Sequence, residues 1–371
     1  MSANVTFFKR KRPWSKYKDL ILDYYLRPYL AKIARLGKPI AVFDCFAGPG
    51  KFGDNERGSP LIIGGHLEEL SKRGIPVQGV FIEKEPELFT RLTKNVHDFP
   101  FPISTWPGDF KSRVGAICDI AESHSTFLYV DPIKPGDLHF NDLSATYGKL
   151  RQGQSVETLI NFLSTGFVRR AHGLKGRCFN GGRLIDDHPE VRACDEIAGG
   201  SYWQDIVFDG SLGQGECAER VAMGYVDRLR TYFRWVLHYP IRAKYRDKRP
   251  KYHLIFGSRH EDDVELMNRA MVTAKREFLG AEFVADRLFP DQPEVEDIRP
   301  EEIRRAIVES LKGKGRITWK MLRVWTVIEH PCKYMDTELN QAIKAAIKNK
   351  LIASTASGTR IEDTATVWSI T

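Results

Sequence analysis

Four carboxylates, Asp44, Glu83, Asp109 and Asp131, each stand at or just after the end of a short apolar run. In open α/β sheets ligands bind at the carboxyl ends of the strands, so acids arriving there in succession form the rim of a site. After the first of them, GPGKFG at 48–53 satisfies G-x-G-x-x-G. Glycines at that spacing let the backbone approach a ligand with no Cβ in the way. The match is weak alone, and the run KPIAVFD ahead of it supplies the strand that such a turn requires. Asp44 is the residue that discriminates between ligands. A pyrophosphate needs a helix N-terminus free of competing negative charge, and an aspartate four positions before Gly48 does not help it. That acid suits a ligand that carries positive charge and no phosphate. Glu83 is placed for ribose hydroxyls, a role that several nucleoside cofactors share.

The segment D-x-F-A-G-x-G, with Asp44, Phe46, Gly48 and Gly50, resembles the first motif of class I methyltransferases. The resemblance implies that the backbone holds the methionine moiety of S-adenosylmethionine and that the acid organises its amino group. In the same pattern Asp109 of GDF matches the position that meets the adenine amine. Asp131-Pro132 resembles the start of the D-P-P-Y signature of enzymes that methylate exocyclic amines, where a carboxylate and a backbone carbonyl hold the nucleophilic nitrogen. Here Ile133 and Lys134 stand where that signature has its second proline and its aromatic, with Tyr129 and His139 as the rings nearby. Asn161 in LINF, Arg169 and Arg170 follow the fifth apolar run and, with Lys134, are candidates to face the substrate.

The elements that must position these residues follow from periodicity. Trp14 to Leu36 has helical spacing, with Pro28 expected to kink or divide it and Gly37 to end it. Buried strands are expected at KPIAVFD, PVQGVFIE, the segment before GDF, TFLYVD and ETLINFLS, with helices between them. FRWVLHYPIRAK and KYHLIFGSRH read as a closing hairpin across the basic turn YRDKRP. This alternation predicts a Rossmann-like class I methyltransferase sheet, mostly parallel with an antiparallel terminal strand. Residues 1–36 are expected to pack on a main domain at 37–283, with a helical insertion near 168–225 and a linker at 284–299. Three short helical patterns and two strands at 300–371 predict a winged helix-turn-helix, in which Lys344 and Lys348 lie on the third helix, the one that can enter a major groove. Trp319 and Trp325 are expected in its core.

Of the 371 residues, 42% are hydrophobic and 28% charged, the balance of a globular chain, and no run reaches the roughly 18 apolar residues of a membrane span. A cytoplasmic location is the default. The six cysteines form no C-x-x-C pair, so no metal is expected. The net charge of +8, gathered in FKRKRPWSKYK and in RAKYRDKRPK at 242–251, favours a polyanionic partner.

The order of motifs over about 16–275 is similar to that of the three-Cys-motif partner proteins: a K-Y-x-x-L helix, FDCFAGPG, GSPL, FIEKE, GDF, VDP, LINF and LIFGS. That resemblance implies a methyltransferase-like fold and pairing with a three-cysteine, radical-SAM-like protein. The expected activity is methyl transfer from S-adenosylmethionine to DNA or RNA, with Asp131 and Pro132 at the reacting end. A non-catalytic adaptor for nucleic acid and that partner is the alternative; nicotinamide-dependent reduction is disfavoured by Asp44.

Overall fold

The computed structural model describes residues 6–150, 154–180, 183–242, 247–285, 299–355 and 363–370. Residues 286–298 of the expected linker, 243–246 of the basic segment and most of the SGTRIEDT loop lie outside them. The chain divides into two compact units, Met1–Arg259 and His260–Thr371.

The first unit opens with α1 (Pro13–Ile33), whose Pro13 sits in the first turn, where a missing N–H costs nothing. The helix runs undivided through Pro28. A proline forfeits one backbone bond, and burial of Ile21, Leu22, Tyr25, Leu26 and Tyr29 on either side offsets it. A 3-10 turn at Ala34–Leu36 follows, and Gly37, at φ +67°, ends it. Strands and helices then alternate: β1 (Ile40–Asp44), α2 (Ser59–Ser71), β2 (Val77–Glu83), α3 (Pro86–Val96), β3 (Ile103–Pro107), α4 (Phe110–Ala121), β4 (Ser125–Val130), α5 (Phe140–Lys149) and β5 (Val156–Phe162).

Where the sequence predicts an insertion, α6 (Ser164–His172), a small hairpin of β6 (Phe179–Asn180) and β7 (Arg183–Leu184), α7 (Pro189–Ala198), α8 (Trp203–Val207) and α9 (Gln214–Leu229) occur. β8 (Trp235–Ile241) and β9 (Tyr252–Ser258) complete a seven-stranded sheet of order β3-β2-β1-β4-β5-β9-β8. β1 to β5 are parallel, whereas β9 runs antiparallel to β5 and β8 antiparallel to β9. This is the Rossmann-like methyltransferase sheet that the alternation predicts.

β1, β4, β5 and β9 are buried along their whole length, as strands covered on both faces must be. α1 covers one face through aromatic contacts, with the Tyr25 ring 5.6 Å from Phe127 and 5.2 Å from Phe256. The Tyr29 hydroxyl bonds the buried carboxylate of Glu157. The chain leaves β1 for one side of the sheet and β4 for the other, so the strand order reverses between them. At such a reversal the diverging loops leave a crevice.

The second unit begins with the long helix α10 (Glu261–Ala285), followed by α11 (Pro300–Leu311), β10 (Ile317–Thr318), α12 (Trp319–Glu329), α13 (Asp336–Lys348), β11 (Ile352–Ser354) and β12 (Thr366–Ser369). The three strands form a small sheet of order β10-β12-β11. Trp319 is buried, its indole donating to Asn340 at 2.8 Å, and Trp325 is half-buried with Lys314 over its ring. Arg323, on α12, joins α10 to the turn before β12: Nε donates to Glu265 at 2.6 Å and Nη1 to Asp363 at 2.7 Å.

Candidate functional site

At the reversal between β1 and β4 a cavity of about 540 Å³ opens in the first unit. Asp44 ends β1 and is fully buried. Its Oδ1 accepts the Phe46 amide at 3.2 Å, whereas Oδ2 accepts no hydrogen bond of ordinary geometry among the described residues. Burial pushes its carboxyl up to about 7; the Asp131 charge adds to this, and Ser59, the Phe46 amide and Lys18 only partly oppose it.

The turn beyond carries Gly48 and Gly50 at φ +62° and +74°, the left-handed region that glycine alone enters cheaply. Gly50 lines the cavity. A Cβ on Gly48 would stand 2.6 Å from the Phe8 ring, which lies against the turn with Phe52 and Leu88. The turn is held from β2, since the Gly48 amide donates to Glu83 Oε2 at 2.8 Å and the Glu85 amide to Oε1 at 2.7 Å. Burial raises the Glu83 carboxyl above its ordinary value against those two amides.

Asp109 is exposed and caps α4, accepting the Ser112 amide at 3.0 Å, which holds its carboxyl below the usual range. Together with Glu83 it lines a second recess of only about 20 Å³. Phe46 and Ile133 line both spaces.

Asp131 follows β4 and lines the cavity beside Pro132. Its carboxylate is shared: Oδ2 pairs with the Lys18 ammonium, and Oδ1 accepts Asn161 Nδ2 at 2.7 Å. Neighbouring Asp131 and Asp19 hold the Lys18 ammonium above its ordinary value, against its burial. Asn161, near the end of β5, turns its buried Oδ1 to no partner among the described residues. Beneath them the buried Tyr129 hydroxyl also lacks one, and the Lys18 ammonium lies over its ring.

The structure therefore brings Phe46, Gly50, Asp131, Pro132 and Asn161 to one cavity, with Asp44 buried beside it and bonded to the Phe46 amide but not lining it, Glu83 holding the turn and Asp109 at the neighbouring recess. It does not bring the other candidates there. Lys134, Arg169 and Arg170 are exposed and do not line the cavity. On α6 the inward face is taken by Phe167 and Val168, which turns the two arginines outward. Lys344 and Lys348 lie on the exposed face of α13 in the second unit.

No protein-family model matches the sequence, and no curated protein matches it. Among solved structures the chain is similar to a protein from Porphyromonas gingivalis W83 provisionally named a methyltransferase, at 18% identity over 36% of this chain and 31% of that one, with a TM-score of 0.23. It is also similar to loganic acid methyltransferase with SAH, at 12% identity over 73% of this chain and 84% of that one, TM-score 0.33. A third is a protein from Rhodobacter sphaeroides provisionally named a Zn-dependent alcohol dehydrogenase, at 10% identity over 60% and 84%, TM-score 0.28. Overlaps this loose carry no weight for chemistry, which rests on the site itself.

The first turns of α1 and the residues just before it supply what the strand-end motifs do not reveal. Lys18 reaches Asp131, Lys11 pairs with the buried Asp19 at 2.7 Å, and the Trp14 carbonyl accepts the Tyr252 hydroxyl at 3.0 Å. These residues fall in the basic cluster FKRKRPWSKYK, where charge alone does not separate a solvated lysine from a buried one. Lys18 and Asp19 adjoin each other inside a stretch with apolar residues at helical spacing, which is the one local signal that they are buried.

Asp44 Oδ2, buried beside the cavity without lining it and with no cationic donor among the described residues, supplies the charge that the amino-acid end of S-adenosylmethionine would need. At the nucleoside end the recess is small, and Ile133 and Phe46 are the side chains that have to give. Among the described residues no helix is long and apolar enough to cross a membrane.

Proposed function

We propose that the first unit is an S-adenosylmethionine-dependent methyltransferase acting on nucleic acid. The observation that carries this reading is the buried Asp44 carboxylate at the sheet's reversal, with one oxygen unsatisfied beside a cavity and a glycine turn. When bound, the cofactor supplies an electrophilic methyl group. The chain's own part is positioning, which for an amine nucleophile requires no activated base. Asp44 is the counter-charge, the Gly48–Gly50 backbone the cradle, and Glu83 the brace that sets the turn's shape. Asp131 and the free Asn161 Oδ1 are the acceptors available to orient an amine. Arg12, Lys51 and Lys251 line the cavity beside Trp14, over whose ring the Lys251 ammonium sits at 4.9 Å. Cations interleaved with aromatic faces suit phosphate and base together.

The helices and small sheet at 300–370 support reading the second unit as a winged helix. Thr337, Gln341, Lys344 and Lys348 form an exposed stripe along α13 at helical spacing, and a duplex is the partner that such a stripe suits. Pairing with a three-cysteine, radical-SAM-like protein is part of the same proposal and rests on the order of sequence motifs.

The test is calorimetric titration of the full chain with S-adenosylmethionine and its demethylated product, then transfer of labelled methyl to DNA and RNA oligonucleotides. Saturable binding and transfer, both lost in Asp44→Ala, are expected. A folded chain that binds neither ligand overturns the proposal. One observation favours a second reading, an adaptor that binds nucleic acid and recruits the partner without catalysis: Lys18 and Asn161 already occupy Asp131. Asp131→Asn separates the two, because an adaptor keeps its nucleic-acid binding and has no transfer to lose.

A further inference from the structure

We propose that Cys178, His188 and Glu190 form a zinc-class metal site, distinct from the cavity at the sheet's reversal. They are the group of His, Cys and acidic side chains among the described residues whose ligand atoms converge within 4.8 Å of one another. Cys178 Sγ lies 3.2 Å from His188 Nδ1 and 3.9 Å from Glu190 Oε2. Thiolate, imidazole and carboxylate ligands around one tetrahedral zinc stand about 3.5 Å apart, from bond lengths of about 2.0–2.3 Å. The observed separations bracket that value, and the ligand set is one that zinc accepts.

The backbone frames the site. Cys178 immediately precedes β6, and its carbonyl accepts the Ile185 amide at 2.8 Å across the hairpin; the Ile185 carbonyl in turn accepts the His188 amide at 3.0 Å. His188 and Glu190 then open α7. The outer contacts are also those of a ligand set. Arg177 Nη1 holds Glu190 Oε1 at 3.0 Å and leaves Oε2, the oxygen nearer the sulfur, to an ion. The contact that an ion must displace is the 3.2 Å bond from the Glu190 amide to His188 Nδ1. Cys178 is fully buried, while His188 and Glu190 are half-buried, so an ion enters from the solvent side and keeps a water in its fourth position. Bound there, it clips the hairpin to the start of α7.

The experiment uses the full chain, freed of metal with a chelator and titrated with Co²⁺ as a spectroscopic stand-in for zinc. One equivalent should give a thiolate-to-cobalt charge-transfer band in the near ultraviolet and the strong visible bands of tetrahedral coordination; Zn²⁺ should displace both. Cys178→Ser should abolish the charge-transfer band, and Cys194→Ser should leave it intact. Glu190→Gln, a half-exposed change that keeps the fold, should weaken binding, and Arg177→Gln should weaken it about tenfold through the outer contact. A folded chain with no band, or a band that survives Cys178→Ser, overturns the proposal and leaves the cluster as an S–H···N hydrogen bond beside an ion pair.

Discussion

Asp44→Asn tests whether the buried carboxylate is kept for a cationic ligand at a cost to the fold. Burial raises the Asp44 carboxyl from an ordinary 3.8 to about 7. Between those values the native state keeps a proton that the unfolded chain has released, so stability falls as pH rises through this window and levels off above about 7. At about 1.36 kcal/mol per unit, the charged carboxylate costs at most about 4 kcal/mol above neutral pH. Asparagine removes that cost but keeps the shape and the acceptor for the Phe46 amide. The substitution should therefore stabilise the chain by about 1–3 kcal/mol at pH 8, and by little at pH 5, in denaturant melts.

Ligand binding should move the other way. Losing a charge-assisted contact costs about 1.5–3 kcal/mol, a weakening of about ten- to hundredfold. The pH profile gives a sharper signature. Binding requires an ionised Asp44 and a protonated ligand amine, whose ordinary value is about 7.7–8.0. Affinity for S-adenosylmethionine should thus peak near pH 7.5 and fall about fivefold by pH 6. Near pH 7, calorimetry in buffers of different ionisation enthalpy should show a net proton release of about 0.4 per ligand. Asp44→Asn should erase the acid limb alone. A flat affinity between pH 6 and 7.5, or an acid limb that persists in the variant, would refute the reasoning.

Gly48→Ala should cost about 2 kcal/mol in a denaturant melt, combining the left-handed backbone with the clash against Phe8; Phe8→Ala in the same chain should relieve the clash and leave the backbone strain. Lys18→Met strands Asp131, whose side chain is 19% exposed, so the loss should sit near the lower end of the buried-pair range, about 3 kcal/mol. Lys18→Met with Asp131→Asn should restore more than half of that, which urea titration of the single and double variants would show. In the second unit, Arg323→Met leaves Glu265, whose side chain is 14% exposed, without its bidentate partner. It should lower that unit's stability by about 2–4 kcal/mol in the same titration.

Much of the site was legible because parallel strands buried on both faces leave continuous apolar runs whose ends can be read directly. Asp44, Glu83, Asp131 and Asn161 stand out in this way as candidates, and the sheet order then gathers them. Lys18 was not legible as a site residue: its contact with Asp131 spans 113 positions, and only packing α1 across β4 and β9 creates it. Arg169 and Arg170 follow a strand as readily as Asn161 does, but the turn into α6 sets which side faces inward. Of the two outcomes expected at Pro28, division of the helix does not occur: propensity weighs one lost bond, whereas the structure also buries five large side chains around it. Cys178 is isolated by every spacing rule, since its neighbours His188 and Glu190 meet it only after the chain has folded through β6 and β7.

Under the proposed function, charge pairing at the reversal singles out Asp44, and not another acid, as the counter-charge open to a cationic ligand. Three carboxylates converge there: Asp19, Asp44 and Asp131. Asp19 takes Lys11 at 2.7 Å, and Asp131 takes Lys18 together with the Asn161 amide. Both pairs are held by the first turns of α1, so the basic N-terminal stretch acts inward as well as toward any polyanion. Of the three, Asp44 alone has no ion pair among the described residues, and its Oδ1 accepts the Phe46 amide. A buried anion without a partner is costly, and a ligand that brings a positive charge recovers that cost on binding. The same pairing makes Lys18 a determinant of specificity. With methionine at position 18, Asp131, which lines the cavity, becomes a second anion without an ion pair near Asp44, and the preference of the cationic ligand for Asp44 should weaken. Titration of Lys18→Met with S-adenosylmethionine should then show an acid limb displaced from that of the parent chain; an unchanged limb would mean that Asp131 does not share the ligand's field.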